Sequence, residues 1–178
     1  MLNPLSIDLA INNFAAGMEN SSLVSFSKFI SFFTEPNFLI LILLAISGYL
    51  FFAHSKKKGL FIALTAVVSG FLILAFKNLF GRDRPLNSLI EANGLSFPSG
   101  HSVMVVVFFG ILIYLFSKDN TRKSLIFLSI IIVLLVGFAR IYLRVHWLSD
   151  VLAGFILGGL ILFGMIEAYK KGLFSKIN

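Results

Sequence analysis

The sequence predicts an all-α protein, a bundle of transmembrane helices. Of its 178 residues, 58% are hydrophobic and only 13% are charged, and the mean hydropathy is +0.95. A soluble domain carries about 25% charged residues. Five uncharged runs approach the length needed to cross a bilayer: 37–53, 59–76, 102–117, 124–139 and 151–166. A helix satisfies its own backbone hydrogen bonds, which lipid cannot do, so we expect each run to form a membrane span.

Residues 1–36 carry a weaker pattern. Apolar side chains recur there at helical spacing in two stretches: Ile7, Ile11, Phe14 and Met18, then Leu23, Phe26, Phe29, Ile30 and Phe33. Polar residues lie between them, which is typical of a helix in the membrane interface. We predict one or two amphipathic N-terminal helices in residues 1–36 and a transmembrane core in residues 37–178. A sixth, imperfect span is the alternative.

The basic residues indicate the orientation of the spans. Three groups are separated from one another by two spans each, and therefore share one side of the membrane: Lys56, Lys57 and Lys58; Lys118, Arg122 and Lys123; Lys170, Lys171 and Lys176. Such connections are typical of the cytoplasmic side. We expect an integral protein of a bacterial cytoplasmic membrane whose connections 77–101 and 140–150 face outward. Nucleic acid is not an expected partner, since the chain leaves no soluble basic face.

The outward connections contain the components of a phosphate site. Lys77, Arg84 and Arg140 together form a cationic group. A guanidinium can hold two phosphate oxygens at once, and a lysine adds a point charge. Ser99 is a predicted N-cap of the third span, and Gly100 permits close backbone approach. The free N–H groups of that helix start would then point at the same anion.

Two histidines and an aspartate complete the set. His146 and Asp150 are four residues apart, so a helix that starts near His146 places both on one face. The carboxylate could then accept the Nδ1 hydrogen and leave Nε2 free as a nucleophile, while His101 serves as general acid. This arrangement predicts phosphoryl transfer through a phosphohistidine.

Metal binding is the alternative for the same side chains. His101, His146 and Asp150 could bind zinc, but the neighbouring arginines would repel a cation. We therefore expect no metal and no cofactor. The chain has no cysteine, which excludes a thiol nucleophile. His54 falls on the opposite side by the same topology, and we interpret it as an interfacial residue.

Three motifs occur in register: K-x6-R-P at 77–85, P-S-G-H at 98–101 and R-x5-H-x3-D at 140–150. This pattern resembles the type 2 phosphatidic acid phosphatase superfamily, which includes membrane lipid phosphatases and soluble vanadium haloperoxidases. The resemblance implies a role for each position. Phosphate would be bound by Lys77, Arg84, Arg140, Ser99 and Gly100. His101 would protonate the leaving group, His146 would attack phosphorus, and Asp150 would orient His146.

One position departs from the family pattern. Ala139 stands where the third motif usually has serine, and we expect this change to tune phosphate binding without abolishing the chemistry. Arg82 and Arg144 lie beside the motifs and are possible contacts to a second phosphate or a head group. The alternative for both arginines is a contact with the head groups of membrane lipids that are not substrate, or a pair with Asp83. Residues 86–97 are either an amphipathic lid or a plain surface loop.

The membrane branch implies a lipid substrate. We expect a phosphatase that hydrolyses a lipid phosphate monoester or diphosphate at the outer membrane face, with phosphatidylglycerophosphate and undecaprenyl diphosphate as the first candidates. Phosphatidic acid and lipid A phosphates are alternatives within the superfamily. Haloperoxidase activity is disfavoured because those enzymes are soluble. A non-enzymatic lipid or ion transporter is the hypothesis from another class, and the uncharged spans argue against it. The sequence leaves the oligomeric state open.

Overall fold

The computed structural model describes residues 2–174, and this range contains seven α-helices and no strand. The helices are α1 (Ser6–Gly17), α2 (Ser21–Phe33), α3 (Pro36–Ala53), α4 (Lys56–Phe80), α5 (Gly100–Phe116), α6 (Asp119–Tyr142) and α7 (Leu148–Lys170). The predicted all-helical class is confirmed. Lys176 and the last four positions of the predicted core lie outside the described residues.

The number of long spans differs slightly from the prediction. Among the described residues, four helical stretches are long and apolar enough to cross a membrane: Ser21–Ala53, which combines α2 and α3, Lys56–Phe80, Asp119–Tyr142 and Leu148–Lys170. The predicted span at 102–117 is α5, an apolar helix of 17 residues. It is shorter because Pro98 and the extended, capping Ser99 precede its first turn, and Ser117 is extended again at its end.

Helix α5 lies in the middle of the bundle and packs closely against α7. Cβ atoms added at Gly154 and Gly158 would lie 2.6 Å from Ser102 Cβ and 2.7 Å from the Val103 carbonyl oxygen. Only glycine allows this approach at both positions, so the pair lets α7 pack directly against α5. A hydrogen bond from Ser99 N to the Asp150 carbonyl oxygen, at 3.0 Å, continues the contact. The starts of α5 and α7 are therefore held side by side.

One end of the bundle, called here the site end, is where α4 and α6 finish and α3, α5 and α7 begin. Helices α1 and α2 lie across it. The N–H of Asn20, before α2, donates to Tyr142 Oη at 2.8 Å, and the carbonyl oxygen of Ser31, near the end of α2, lies 3.2 Å from His101 Nε2. Both ends of α2 thus contact the site end, so α2 runs along it.

The N-terminal helices expose large aromatic side chains. Phe29 and Phe32 are 59% and 72% exposed, and Phe33 packs against both rings. Exposed aromatic groups on a helix that lies along the end of a membrane bundle are suited to the lipid interface. A domain boundary at residue 36 stays a prediction.

Candidate active site

A cavity of about 550 Å³ opens at the site end. Its walls include residues from α2, the turn between α2 and α3, α4, α5, α6 and the two outward connections: Lys28, Ser31, Glu35, Lys77, Arg84, Gly100, His101, Arg140 and His146. The structure therefore brings the two histidines and the three predicted phosphate-binding cations to one space, although 69 positions separate Lys77 from His146.

The three cations differ in how they are held. The Lys77 ammonium donates to the Leu95 carbonyl oxygen. Arg84 donates through Nε to the Gly94 carbonyl oxygen at 3.0 Å and through Nη1 to the Val145 carbonyl oxygen at 2.7 Å. The Arg140 guanidinium makes no side-chain hydrogen bond within residues 2–174. Its donors are therefore available to a ligand anion, whereas Arg84 also ties two connections together.

His146 lies directly before α7 and is 3% exposed. Its Nε2 is 3.2 Å from Arg84 Nη1. A guanidinium can only donate, so Nε2 is the unprotonated nitrogen and Nδ1 carries the hydrogen. Nδ1 faces Asp150 Oδ2 at 3.5 Å, a distance too long for a formed hydrogen bond. Asp150 therefore faces Nδ1 of His146, but no hydrogen bond joins the two side chains.

The surroundings of His146 disfavour its protonated form. Burial is the largest cause, and the positive charges of Arg140, Arg84 and Lys77 add to it, so the pKa of His146 lies well below the usual value of 6.5. Burial also lowers the pKa of Arg84, an effect that Asp150 opposes. At neutral pH His146 is a neutral imidazole whose Nε2 is unprotonated, which is the form a nucleophile requires, and the contact with Arg84 holds that nitrogen at the cavity.

His101 is in the first turn of α5 and faces Glu35. Its Nε2 lies 3.3 Å from Glu35 Oε2 and 3.2 Å from the Ser31 carbonyl oxygen. Sequence reasoning missed Glu35, which lies between α2 and α3. A signal was present, because Glu35 is the one charged residue between Lys28 and Lys56.

Asp150 is fully buried behind His146. Its Oδ1 is 2.6 Å from Arg82 Nη1, and its Oδ2 accepts from Trp147 N at 2.9 Å. The other terminal nitrogen of Arg82 is 2.6 Å from Asp8 Oδ2. Asp8 belongs to α1 and was also missed. These contacts fix Asp150 from two sides and connect it to the N-terminal helix.

The expected second-phosphate contacts are not what the structure shows. Arg82 is 1% exposed and engaged by Asp8 and Asp150, not by Asp83. Arg144 is 7% exposed and pairs with Glu19 at 2.9 Å. Neither arginine lines the cavity. The physical reason for Arg82 is that it precedes Arg84 by two positions in a non-helical turn, where the side chains take different directions that sequence spacing does not indicate.

Three further expectations concern Ser99, residues 86–97 and His54. Ser99 is fully buried and its Oγ accepts from Ser102 N, so it caps α5 as predicted, but it lies behind the cavity wall. Residues 86–97 form no helix, so the amphipathic-lid interpretation is not supported, although residues 90–93 line the cavity. His54 hydrogen-bonds Tyr49 at the opposite end of the bundle.

Within residues 2–174, no group of three or more His, Cys, Asp or Glu side chains is placed to hold a metal ion. Ala139 is fully buried beside Arg140 and contributes no hydroxyl to the cavity.

Comparisons with known proteins point to one family. The sequence model of the PAP2 superfamily matches residues 58–173. Phosphatidylglycerophosphatase B of Bacillus subtilis strain 168 is 29% identical over 93% of this chain and 84% of that protein. An undecaprenyl-diphosphatase of Sulfolobus acidocaldarius is 31% identical over 72% of this chain and 64% of that protein.

Solved structures agree with the sequence comparisons. The crystal structure of a transmembrane PAP2 type phosphatidylglycerolphosphate phosphatase from Bacillus subtilis superposes with a TM-score of 0.80 at 30% identity, covering 97% of this chain and 87% of that one. Aquifex aeolicus LpxE superposes with a TM-score of 0.72 at 22% identity, covering 92% of this chain and 96% of that one, and supports the fold alone.

Proposed function

The chain belongs to the PAP2 superfamily, and from this premise we propose that it is an integral membrane lipid phosphatase that works through a phosphohistidine. The observation that carries the proposal is the state of His146. It is a buried, neutral imidazole that lines a cavity together with Lys77, Arg84 and Arg140, and its unprotonated Nε2 lies 3.2 Å from Arg84 Nη1. By their names, the relatives above act on phosphatidylglycerophosphate and undecaprenyl diphosphate. We assign this chain a substrate from the same class of lipid phosphates.

The first half of the reaction forms the covalent intermediate. The phosphoryl group binds between the three cations and the N-terminal end of α5, which neutralise its charge. The Nε2 lone pair of His146 forms a bond to phosphorus while the bond from phosphorus to the lipid oxygen breaks. His101 gives its proton to that leaving oxygen. Asp150 faces the Nδ1 hydrogen and stabilises the positive charge that develops on the ring.

The second half restores the enzyme. The neutral His101 accepts a proton from a water molecule, whose oxygen attacks phosphorus. The bond from phosphorus to Nε2 breaks, its electron pair returns to His146, and inorganic phosphate leaves. The two steps require one water molecule, and the proton on His101 after the second step replaces the one given up in the first. No metal takes part in this scheme.

Lipid access fits the position of the cavity. The cavity opens where α2 carries exposed aromatic side chains, so a phosphorylated head group could enter by lateral diffusion while its tails stay in the membrane. The basic groups at the opposite end of the bundle support an orientation with that end in the cytoplasm and the cavity facing outward, in the cytoplasmic membrane of a bacterium.

The cavity favours one phosphoryl group at a time. Three cations surround the space in front of His146, and the two arginines expected to hold a second phosphate are engaged elsewhere. Lys28, exposed on α2, is the remaining basic residue of the cavity wall. A Lys28→Ala variant should therefore lose more activity on a diphosphate than on a monoester. Phosphatidic acid and lipid A phosphates are the alternative monoester substrates.

A panel assay tests the proposal. Purified protein in mixed micelles is given phosphatidylglycerophosphate, undecaprenyl diphosphate, phosphatidic acid and a lipid A phosphate, and released phosphate is measured with and without EDTA. We expect release from at least one lipid, unaffected by EDTA and inhibited by vanadate. Absence of release from all four would contradict the phosphatase proposal and favour the transporter hypothesis. Loss of activity in EDTA that zinc restores would contradict the metal-free scheme.

A further inference from the structure

Asp8, in the N-terminal helix α1, is placed to influence the reaction without touching the substrate. We propose that Asp8 is a positioning residue for phosphoryl transfer: through Arg82 it sets the charge and the placement of Asp150 behind His146. The proposal rests on the proposed function, since it assigns a role within the same site. It gives α1 a part in the reaction, although α1 lies outside the three sequence motifs.

A continuous chain of short contacts connects Asp8 to the site. Asp8 Oδ2 is 2.6 Å from Arg82 Nη2, and Arg82 Nη1 is 2.6 Å from Asp150 Oδ1. Ser149 joins Asp8 to Arg82. Its N–H donates to Asp8 Oδ1 at 2.8 Å, its hydroxyl donates to Asp8 Oδ2 at 2.7 Å, and that hydroxyl accepts from Arg82 Nη1 at 2.6 Å. Asp150 Oδ2 then faces His146 Nδ1.

Burial makes these charges strongly coupled. Asp8 and Asp150 are fully buried and Arg82 is 1% exposed. Burial acts to raise the pKa of Asp8, but hydrogen bonds from Ser149, Leu5 and Arg82 outweigh it and hold that pKa below its usual value. Asp8 is therefore ionised at neutral pH, and the contacts of Asp150 with Arg82 and with Trp147 N favour its carboxylate form. In a site with little water such charges are weakly screened, so each one is felt by its neighbours.

The count of charges explains why a second carboxylate is needed. Arg82 alone would neutralise Asp150 and leave nothing to support an imidazolium at His146. With Asp8 present, the group of two carboxylates and one guanidinium carries one net negative charge, which faces Nδ1 of His146. That charge opposes the cations on the cavity side of the ring. The charged and titratable groups that face His146 are Lys77, Arg84, His101, Arg140 and Asp150.

The first test removes the charge of Asp8 and keeps its shape. In Asp8→Asn, kcat should fall about tenfold with little change in KM, because the loss is in stabilising charge on His146 and not in phosphate binding. The acid limb of kcat/KM should move to lower pH, because one negative charge near the imidazole is gone. Glu19→Gln is the matched control. It removes a carboxylate of the same N-terminal region that pairs with Arg144 but is 52% exposed, and its kinetics should equal wild type.

The second test restores the charge balance. Arg82→Gln alone should move the acid limb to higher pH, the opposite direction from Asp8→Asn. The double variant D8N/R82Q again carries one net negative charge, on Asp150, and should recover at least half of the shift in the limb. If Asp8 had only a structural role, the losses in kcat of the two single variants would add, and their acid limbs would not move in opposite directions. Ser149→Ala removes hydrogen bonds from the same network without removing charge. It should lower kcat only a few-fold and leave the limb in place.

The outcomes separate this proposal from the proposed function. If wild type releases no phosphate from any lipid in the panel, the function is wrong. If wild type is active and Asp8→Asn has the same kcat and pH profile as wild type, the proposed role of Asp8 is wrong. The role is also wrong if D8N/R82Q has the acid limb of Asp8→Asn. Where Asp8→Asn does not fold, the pH profiles of Arg82→Gln and Ser149→Ala decide. The role is supported if the acid limb of kcat/KM moves to higher pH in Arg82→Gln and stays at the wild-type pH in Ser149→Ala. Any other pair of results contradicts it.

Discussion

Each of the two histidines in the cavity faces a carboxylate, and the two pairs differ in how firmly that carboxylate is held. Asp150, behind His146, is fully buried and bound by Arg82 and Trp147 N. Glu35, beside His101, is 47% exposed at the cavity wall. A nucleophile must meet phosphorus along a fixed line, so its partner should be immobile. The acid follows a leaving oxygen that differs between lipids, so its partner can be exposed.

The largest effect should come from the buried pair. His146→Ala removes the proposed nucleophile, and phosphate release should fall about 10⁴-fold or more. The measurement is phosphate release from the best lipid of the panel. His54→Ala is the matched control, because that imidazole lies at the opposite end of the bundle with Tyr49 as its partner and should leave turnover unchanged. Retained turnover in His146→Ala would remove the covalent mechanism.

Replacing the acid should give a smaller loss that depends on the substrate. His101→Gln should lower kcat about 10²- to 10⁴-fold for a lipid alcohol, which leaves poorly without a proton. An aryl phosphate has a leaving group that needs no proton, so the variant should hydrolyse it almost as fast as wild type does. Equal losses on the two substrates would show that His101 does not act as the general acid.

The two carboxylates can be compared directly. Asp150→Asn should cost about a hundredfold or more in kcat, since an amide at that position no longer stabilises the imidazolium and leaves the buried Arg82 with one carboxylate fewer. Glu35→Gln should cost only a few-fold, because an exposed ion pair is screened by water. Steady-state kinetics of both variants on one lipid check the order. A larger loss in Glu35→Gln would reverse the comparison.

The pH dependence gives the smallest effect. Because burial and the surrounding cations place the pKa of His146 well below 6.5, the neutral form persists as the pH falls from 7 to about 6. As the proposed nucleophile, His146 should therefore support turnover over this range and lose activity only at lower pH. The check is kcat/KM against pH, with the ionisation of the substrate determined separately. A loss assigned to the enzyme with a midpoint at 6.5 or above would contradict this environment for His146.

The sequence predicts the residues that line the cavity better than it predicts the residues that hold them in place from behind. Counting spans places Lys77, His101 and His146 at one membrane face, because two helices bring the chain back to the side it left. The contacts behind the site were beyond such reasoning. Arg82 and Arg84 are two positions apart, yet one is buried between carboxylates and the other lines the cavity.

The N-terminal residues show the same limit. Glu35 and Asp8 lie in segments whose weak periodicity predicts amphipathic helices but not where those helices dock. Their partners, His101 and Arg82, are 66 and 74 positions away. Such contacts are decided by the packing of α1 and α2 across the site end, which is a tertiary property. An isolated carboxylate in an apolar segment indicates that a partner exists, but not which one.

If the phosphoryl group passes through His146, as we propose, it can be trapped on that residue. Purified protein is mixed with a lipid whose phosphate is radiolabelled, quenched in alkali, which preserves phosphohistidine, and digested for peptide mapping. We expect label on the peptide that contains His146, in wild type and in His54→Ala, and none in His146→Ala. Full turnover of the lipid with no label on that peptide, or label that persists in His146→Ala, would contradict the proposal.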